Sequence, residues 1–566
     1  MYSRNNIFGF SNQKSEVKKR IWIIMLIFVL LFCILIWRIA NDMYFKSEPL
    51  KAMFNAQYTI DEQYGMQYKL TDCNGNELLN YSNNYYAVID PVDYLRFNEY
   101  TSKYDMQSLI ITLRNYNKSY DLEKIKGTGN GEKLRYEIDE ATYNKIKDIK
   151  KVKGFYTFKS NDLVENKNWE IQNVLTSLIY FKDSVETKKS VKSLEMQIDN
   201  KTKNNKFTET RFLKGVNGEI AEGTVIKPTN NVNVRLTIDK NIQDKVESIL
   251  HEEKYDQIGV VLMESKSGKI RAMAQKDDNE NNANIGVPTT GGALPGSIFK
   301  VIVAEAGLDT GTINKNEIFT LSPGLFPKDA HQYNGKTEFT VSEALRDSSN
   351  NIFAQIGYKI GFQNMYDYAK KQGILDTVLN LQQEQIGKFD NGVDLSSQKE
   401  DIYQASIGQK IKITPLEALS IPNTVINNGV YVQPSIIDAY VNDKKDVVEK
   451  VTPKTSQVLK SETAKTLKLD MLDVVNNGTG VRAIVKGMDI GGKTGTTEYS
   501  VEGNKYSDGW FVGFFTFKGI DYSMVVFVKN IAIGQKEGIG SQGGGDTAAP
   551  IFKKVVEALK VMDSVK

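Results

Sequence analysis

The chain has 566 residues, 40% hydrophobic and 25% charged, a composition that supports sizeable cores and excludes global disorder. Lys and Arg number 72 against 69 Asp and Glu; so small an excess, with no basic block beyond the first twenty residues, gives no ground for a nucleic-acid partner. Two cysteines and two histidines exclude a disulfide framework, a Cys-based zinc site and a His-rich metal site.

Residues 21–37, IWIIMLIFVLLFCILIW, form an uncharged apolar run. Extended through Ala40 it makes about 30 Å of helix at roughly 1.5 Å per residue, enough to span a bilayer. Trp22 and Trp37 suit the interfacial belts, and Arg38 can snorkel. Arg4, Lys14, Lys18, Lys19 and Arg20 precede the run against one acid, Glu16, so residues 1–20 are expected to stay cytoplasmic and the rest to lie outside. The following WRIANDMYF is bulky and polar, which favours an uncleaved anchor over a signal peptide.

Residues 41–230 carry no chemical motif. They hold strand-like pieces at Tyr86–Ile89 and Leu109–Leu113 and a polar helical stretch around Glu140–Lys150. Glu222–Asn233, rich in Gly, Pro and Asn, reads as a linker before a second domain at 231–566. There, Ile242, Val246, Ile249 and Leu250 mark a helix face, with Asp239 as its N-cap. Gly259–Glu264 and Ile270–Ala274 read as strands about a Ser267-Gly268 turn. Trp510–Phe517 and Tyr522–Val528 flank Lys518-Gly519 as a hairpin, and Pro550 opens a last helix with Ile551, Phe552, Val555, Val556 and Leu559 on one face. This order predicts an α/β (α+β) domain with an antiparallel sheet and a helical middle.

Three short motifs carry chemistry. Ser297 and Lys300 stand one turn apart, where a buried amine can serve as base for a hydroxyl. The same spacing recurs at Ser11/Lys14, Ser15/Lys18 and Ser396/Lys399, but only Ser297 follows Pro295-Gly296 and opens an apolar helix, Val301–Ala304, ending near Gly307. A helix start also offers free N–H groups to an oxyanion. Ser348 and Asn350 supply a second hydroxyl and an amide; the overlapping Ser349/Asn351 leaves the register open. Lys493-Thr494-Gly495 occurs once: Lys493 offers positive charge for a carboxylate, Gly495 close backbone approach, and Thr496 a hydroxyl and an N–H. A phosphate loop is the rival for Gly487 to Thr494, yet Thr497-Glu-Tyr continues as a strand rather than a helix.

The order SxxK, SxN, KTG resembles that of penicillin-binding proteins and serine β-lactamases. From about Asn233 to Ile551 the chain is similar to the transpeptidase domain of class B penicillin-binding proteins, through LTIDKNIQ at 236–243, SGKIRAMA at 267–274, LPGSIFK at 294–300, IGQKIKITPLEAL at 407–419, NNGTGVRA at 476–483 and DGWFVGF at 508–514. Leu70–Gly75 resembles a juxtamembrane Asp-Arg-Asn-Gly stretch of that family, with Cys73 in place of Arg. The resemblance implies a penicillin-binding fold behind a transmembrane helix (21–40) and an elongated, non-catalytic pedestal (41–230). It implies that Ser297 attacks the D-Ala-D-Ala bond of a peptidoglycan stem with Lys300 as base. Ser348 would relay the proton, Asn350 would position lysine and donor, Lys493 and Thr494 would shape the field, and Thr496 would bind the carboxylate. The N–H groups of Ser297 and Thr496 would form the oxyanion hole, and an amine from a second stem would resolve the acyl-enzyme. It implies no cofactor or metal, inhibition by β-lactams, and possible partnership with a polytopic membrane glycosyltransferase. A β-lactamase or β-lactam sensor of the same fold is the alternative; the anchor and pedestal argue against the first, and one span without HExxH against the second.

Overall fold

The computed structural model describes residues 8–44, 57–62, 67–125, 132–164, 171–182, 185–277, 292–327, 333, 335–389, 398–533 and 543–564. Arg4, His331 and Ser396 lie outside the described residues. The first helix, α1 (Phe8–Tyr44), contains a 25-residue stretch, Val17–Asn41, long and apolar enough to cross a membrane and buried nowhere in the protein.

The chain forms two compact units. One comprises Met1–Gly65, Tyr81–Asp162 and Phe207–Pro228; the other comprises Met66–Asn80, Leu163–Lys206 and Thr229–Lys566. Residues 66–80 and 163–206 thus belong to the second unit although they precede 230. In the first unit, strands Leu134–Ile138, Tyr81–Ile89 and Phe155–Leu163 form one sheet in that order, and Tyr58–Glu62, Glu209–Leu213 and Thr224–Ile226 another. Two expectations are corrected here. Leu109–Leu113 is no strand but part of the helix Lys103–Tyr116, because Leu109 and Leu113, one turn apart, both reach the core. Within the presumed linker, Thr224–Ile226 is an exposed edge strand paired with Glu209–Arg211.

The second unit is built on a five-stranded antiparallel sheet: β1 (Gln257–Glu264), β2 (Ile270–Lys276), β3 (Ile490–Val501), β4 (Asn504–Phe517) and β5 (Ile520–Ala532), in the order β2-β1-β5-β4-β3. Alternate side chains go to opposite faces, and both faces are covered, so the strands read as apolar runs. Val260, Leu262, Phe511 and Val526 meet α2 (Lys240–Glu252) and the last helix, α6 (Ala548–Ser564). Val261, Met263, Val512 and Val525 meet the helical layer that holds α3 (Lys300–Thr310), α4 (Asn350–Ile360) and α5 (Ser461–Asn477). Asp239 caps α2 as expected, accepting from the N–H groups of Asn241 and Ile242. Lys518 and Gly519 both take positive φ, the two-residue turn that joins twisted strands. Apolar α3 runs past the expected stop at Gly307 and ends at Gly311, whose left-handed backbone closes the helix. Gly307 is instead a packing position against Ile313 and Ile360.

Candidate active site

A turn of 3-10 helix, Gly296–Phe299, leads directly into α3, so Ser297 stands at a helix start and Lys300 follows one turn later inside the protein. Ser297 remains partly accessible, whereas Lys300 is fully buried. Gly296 takes φ +55, which glycine adopts freely, and no side chain fits there either: a Cβ would lie 2.5 Å from the Thr496 carbonyl oxygen. The Trp510 indole N–H donates to Leu294 O at 3.0 Å, tying the segment before the serine to β4.

Ser348 is the residue before the cap of α4 and takes φ +59, a left-handed backbone uncommon for serine. Its placement resolves the register. Ser349 is the N-cap of α4 and accepts from the Ile352 N–H, and buried Asn351 bonds Ser322 and Leu325. Ser348 and Asn350 face the cleft instead. The Lys300 ammonium donates to the Ser348 carbonyl at 2.6 Å and to Asn350 Oδ1 at 2.7 Å, and reaches Ser348 Oγ at 3.4 Å.

β3 brings the third group. It is the edge strand of the sheet, and its residues 494, 496 and 498 line the cleft. Lys493 points inward, fully buried, and donates to Ser348 Oγ at 2.9 Å and Thr494 O at 3.1 Å. Burial alone pulls its ammonium down to about 7. Both lysines therefore meet at one hydroxyl, Ser348. A Cβ on Gly495 would lie 2.5 Å from Pro295 O, so β3 runs close along the backbone before Ser297.

The cleft has a volume of about 830 Å³, and Ser297, Ser348, Asn350, Thr494 and Thr496 open onto it together. Sequence reasoning did not single out every residue here. Thr479 shares a 2.7 Å hydroxyl contact with Thr494; it lies within NNGTGVRA, a stretch quoted only for its resemblance. The Gly544 N–H donates to Thr496 Oγ1 at 3.2 Å, and Gly543 leaves no room for a Cβ beside that hydroxyl. The Gly543–Gly545 run before α6 was the available signal. Gly408, at φ +77, packs its backbone on Gly296.

Residues 258–557 match the family described as penicillin binding protein transpeptidase domain. Stage V sporulation protein D of Bacillus subtilis is 28% identical over 351 residues, covering 58% of this chain and 53% of that protein. PbpB of Mycolicibacterium smegmatis is 27% identical over 354 residues, covering 58% and 54%. A probable peptidoglycan D,D-transpeptidase PenA of Neisseria meningitidis is 26% identical over 355 residues, covering 58% and 57%. The chain spans about half the length of the curated relatives it matches. Among solved structures, a peptidoglycan synthetase from Bifidobacterium adolescentis superposes with TM-score 0.62 at 19% identity, covering 90% of this chain and 97% of that one. Penicillin-binding protein 3 of Mycobacterium tuberculosis does so with TM-score 0.56 at 18% identity, covering 90% and 98%. These structures share the fold. With the family match extending over more than half of the 566 residues, and with the three motifs gathered on one cleft, this chain belongs to the penicillin-binding protein transpeptidase family, as its resemblance to class B members led us to expect.

Proposed function

We propose that the protein is a serine D-Ala-D-Ala transpeptidase that cross-links peptidoglycan stems. The observation that carries the reading is the meeting of Lys300 and Lys493 at Ser348, beside Ser297 and Thr496 in one open cleft. Lys300 Nζ, held against Ser348 O and Asn350 Oδ1, is the base that takes the Ser297 proton. Ser297 Oγ then bonds to the carbonyl carbon of the penultimate D-alanine, with the backbone N–H groups of Ser297 and Thr496 taking up the oxyanion charge. The C–N bond breaks, and Ser348, polarised by Lys493, passes the proton to the departing D-alanine. Thr494 and Thr496 hold the terminal carboxylate, and Gly495 lets the donor lie against the strand. The amine of a second stem then bonds to the acyl carbon, its proton passes through Lys300 to Ser297 Oγ as the ester C–O bond breaks, and the free serine is restored. A β-lactam opens on Ser297 in the same way and stays attached.

In this reading α1 anchors the chain in the cell membrane with residues 1–20 cytoplasmic; residues 41–230 are a non-catalytic pedestal outside; residues 231–566 are catalytic. A polytopic membrane glycosyltransferase is the proposed partner. Labelling with a fluorescent penicillin tests the core of the proposal. Wild type should carry a stable covalent label and Ser297→Ala none; a labelled alanine variant removes the nucleophile assignment. Rapid turnover of a chromogenic cephalosporin would instead make the protein a β-lactamase.

A further inference from the structure

Glu498 stands two residues beyond Thr496 on β3, and side chains two apart on a strand share a face. Both line the cleft, whereas Thr497 between them is buried on the opposite side. The other acids of the cleft are neutralised. Asp347 takes two hydrogen bonds of 2.8 Å from the Arg346 guanidinium, and Asp546 pairs with Arg482 at 3.1 Å. Glu498 is exposed and has no hydrogen-bond or ion-pair partner among the described residues. It is thus the one uncompensated charge lining the cleft among those residues, on the free edge of the sheet.

We propose that Glu498 is a specificity determinant, selecting acyl donors that carry a cationic group on the residue preceding the acylated one. The inference rests on the transpeptidase reading. A donor whose carboxylate is held at Thr496 and whose carbonyl faces Ser297 continues along the edge of β3. Two residues of strand span about 6.6–7 Å, which sets Glu498 beside the donor's preceding residue. A stem peptide bearing a free side-chain ammonium there is attracted; a carboxylate there is repelled. At about 7 Å in a water-like dielectric, one such pair is worth a factor of about three in rate.

The experiment measures second-order acylation rate constants for three cephalosporins with a common nucleus, whose acylamino side chains end in an ammonium, a neutral group or a carboxylate. Wild type, Glu498→Gln and Glu498→Lys are compared, each rate being taken relative to the neutral probe. We expect wild type to favour the ammonium and disfavour the carboxylate by about threefold each, Glu498→Gln to lose both preferences, and Glu498→Lys to reverse them. The preferences should fade on raising salt from about 0.01 M to about 1 M, as the Debye length falls from about 30 Å to about 3 Å. Identical relative rates in all three proteins overturn this inference alone. Failure of every probe to acylate wild type overturns the transpeptidase reading and this inference with it.

Discussion

Burial governs the two ionisable groups that matter most at the residue scale. Among the described residues no acid offsets the burial of Lys493, so desolvation alone brings its ammonium to about 7. A guanidinium would keep its charge and ask for five donor contacts in a space shaped for one amine. We therefore expect Lys493→Arg to slow acylation by a penicillin on the order of 100-fold, about 2.7 kcal/mol of barrier, with the melting temperature recorded alongside to separate chemistry from unfolding. Glu305, on the same helix as Lys300, is fully buried and pushed up from 4.5 to about 8 by burial. The Gln372 amide donates to its Oε2, and its Oε1 has no partner. The folded chain holds a proton there that the unfolded chain releases, so the stability contributed by the protonated form is full below pH about 4.5 and is lost as the pH rises towards about 8. Glu305→Gln, which cannot ionise, should remove that slope: its melting temperature relative to wild type should be higher at pH 8 than at pH 5. Parallel curves over that range would show that Glu305 does not titrate in it.

At the scale of elements, the site depends on backbones that touch. The turn before α3, β3 and the segment at Gly408 meet at Gly296, where a methyl group would strike the Thr496 carbonyl. The residue also needs φ +55. Gly296→Ala should therefore move β3 away from Ser297. We expect acylation to fall at least about tenfold and stability to drop by about 1–3 kcal/mol, read by penicillin labelling and by denaturant unfolding. Helix α2 and the β4–β5 hairpin were legible without any coordinates, because an N-cap, an apolar face and a two-residue turn are local patterns. Leu109–Leu113 was not legible: five apolar and β-branched residues carry strand propensity, and only the wider helix Lys103–Tyr116 shows which period wins.

At the scale of the whole molecule, the apolar stretch Val17–Asn41 is long and apolar enough to cross a membrane and is not buried in the protein. A chain starting at residue 45 should partition into the soluble fraction of a cell extract while the full chain stays with membranes, and on the transpeptidase reading it should still label with penicillin. Loss of label in a soluble, folded truncation would show that the catalytic unit needs the anchor for more than location.

The sequence by itself determined what is written in neighbouring residues: a membrane-spanning run, the caps and turns of the sheet domain, and three short motifs in an order that named a family. Tertiary structure decided what depends on pairing distant segments. It chose Ser348/Asn350 over Ser349/Asn351 as the pair facing the cleft, by spending the latter on a helix cap and on the Ser322–Leu325 loop. It set Thr479 against Thr494 and Gly544 against Thr496, and it left Glu498 uncompensated at the cleft edge. The physical reason is that periodicity and capping act over a turn or a strand, whereas burial, hydrogen bonding and charge compensation depend on which segments the whole fold brings within a few ångströms.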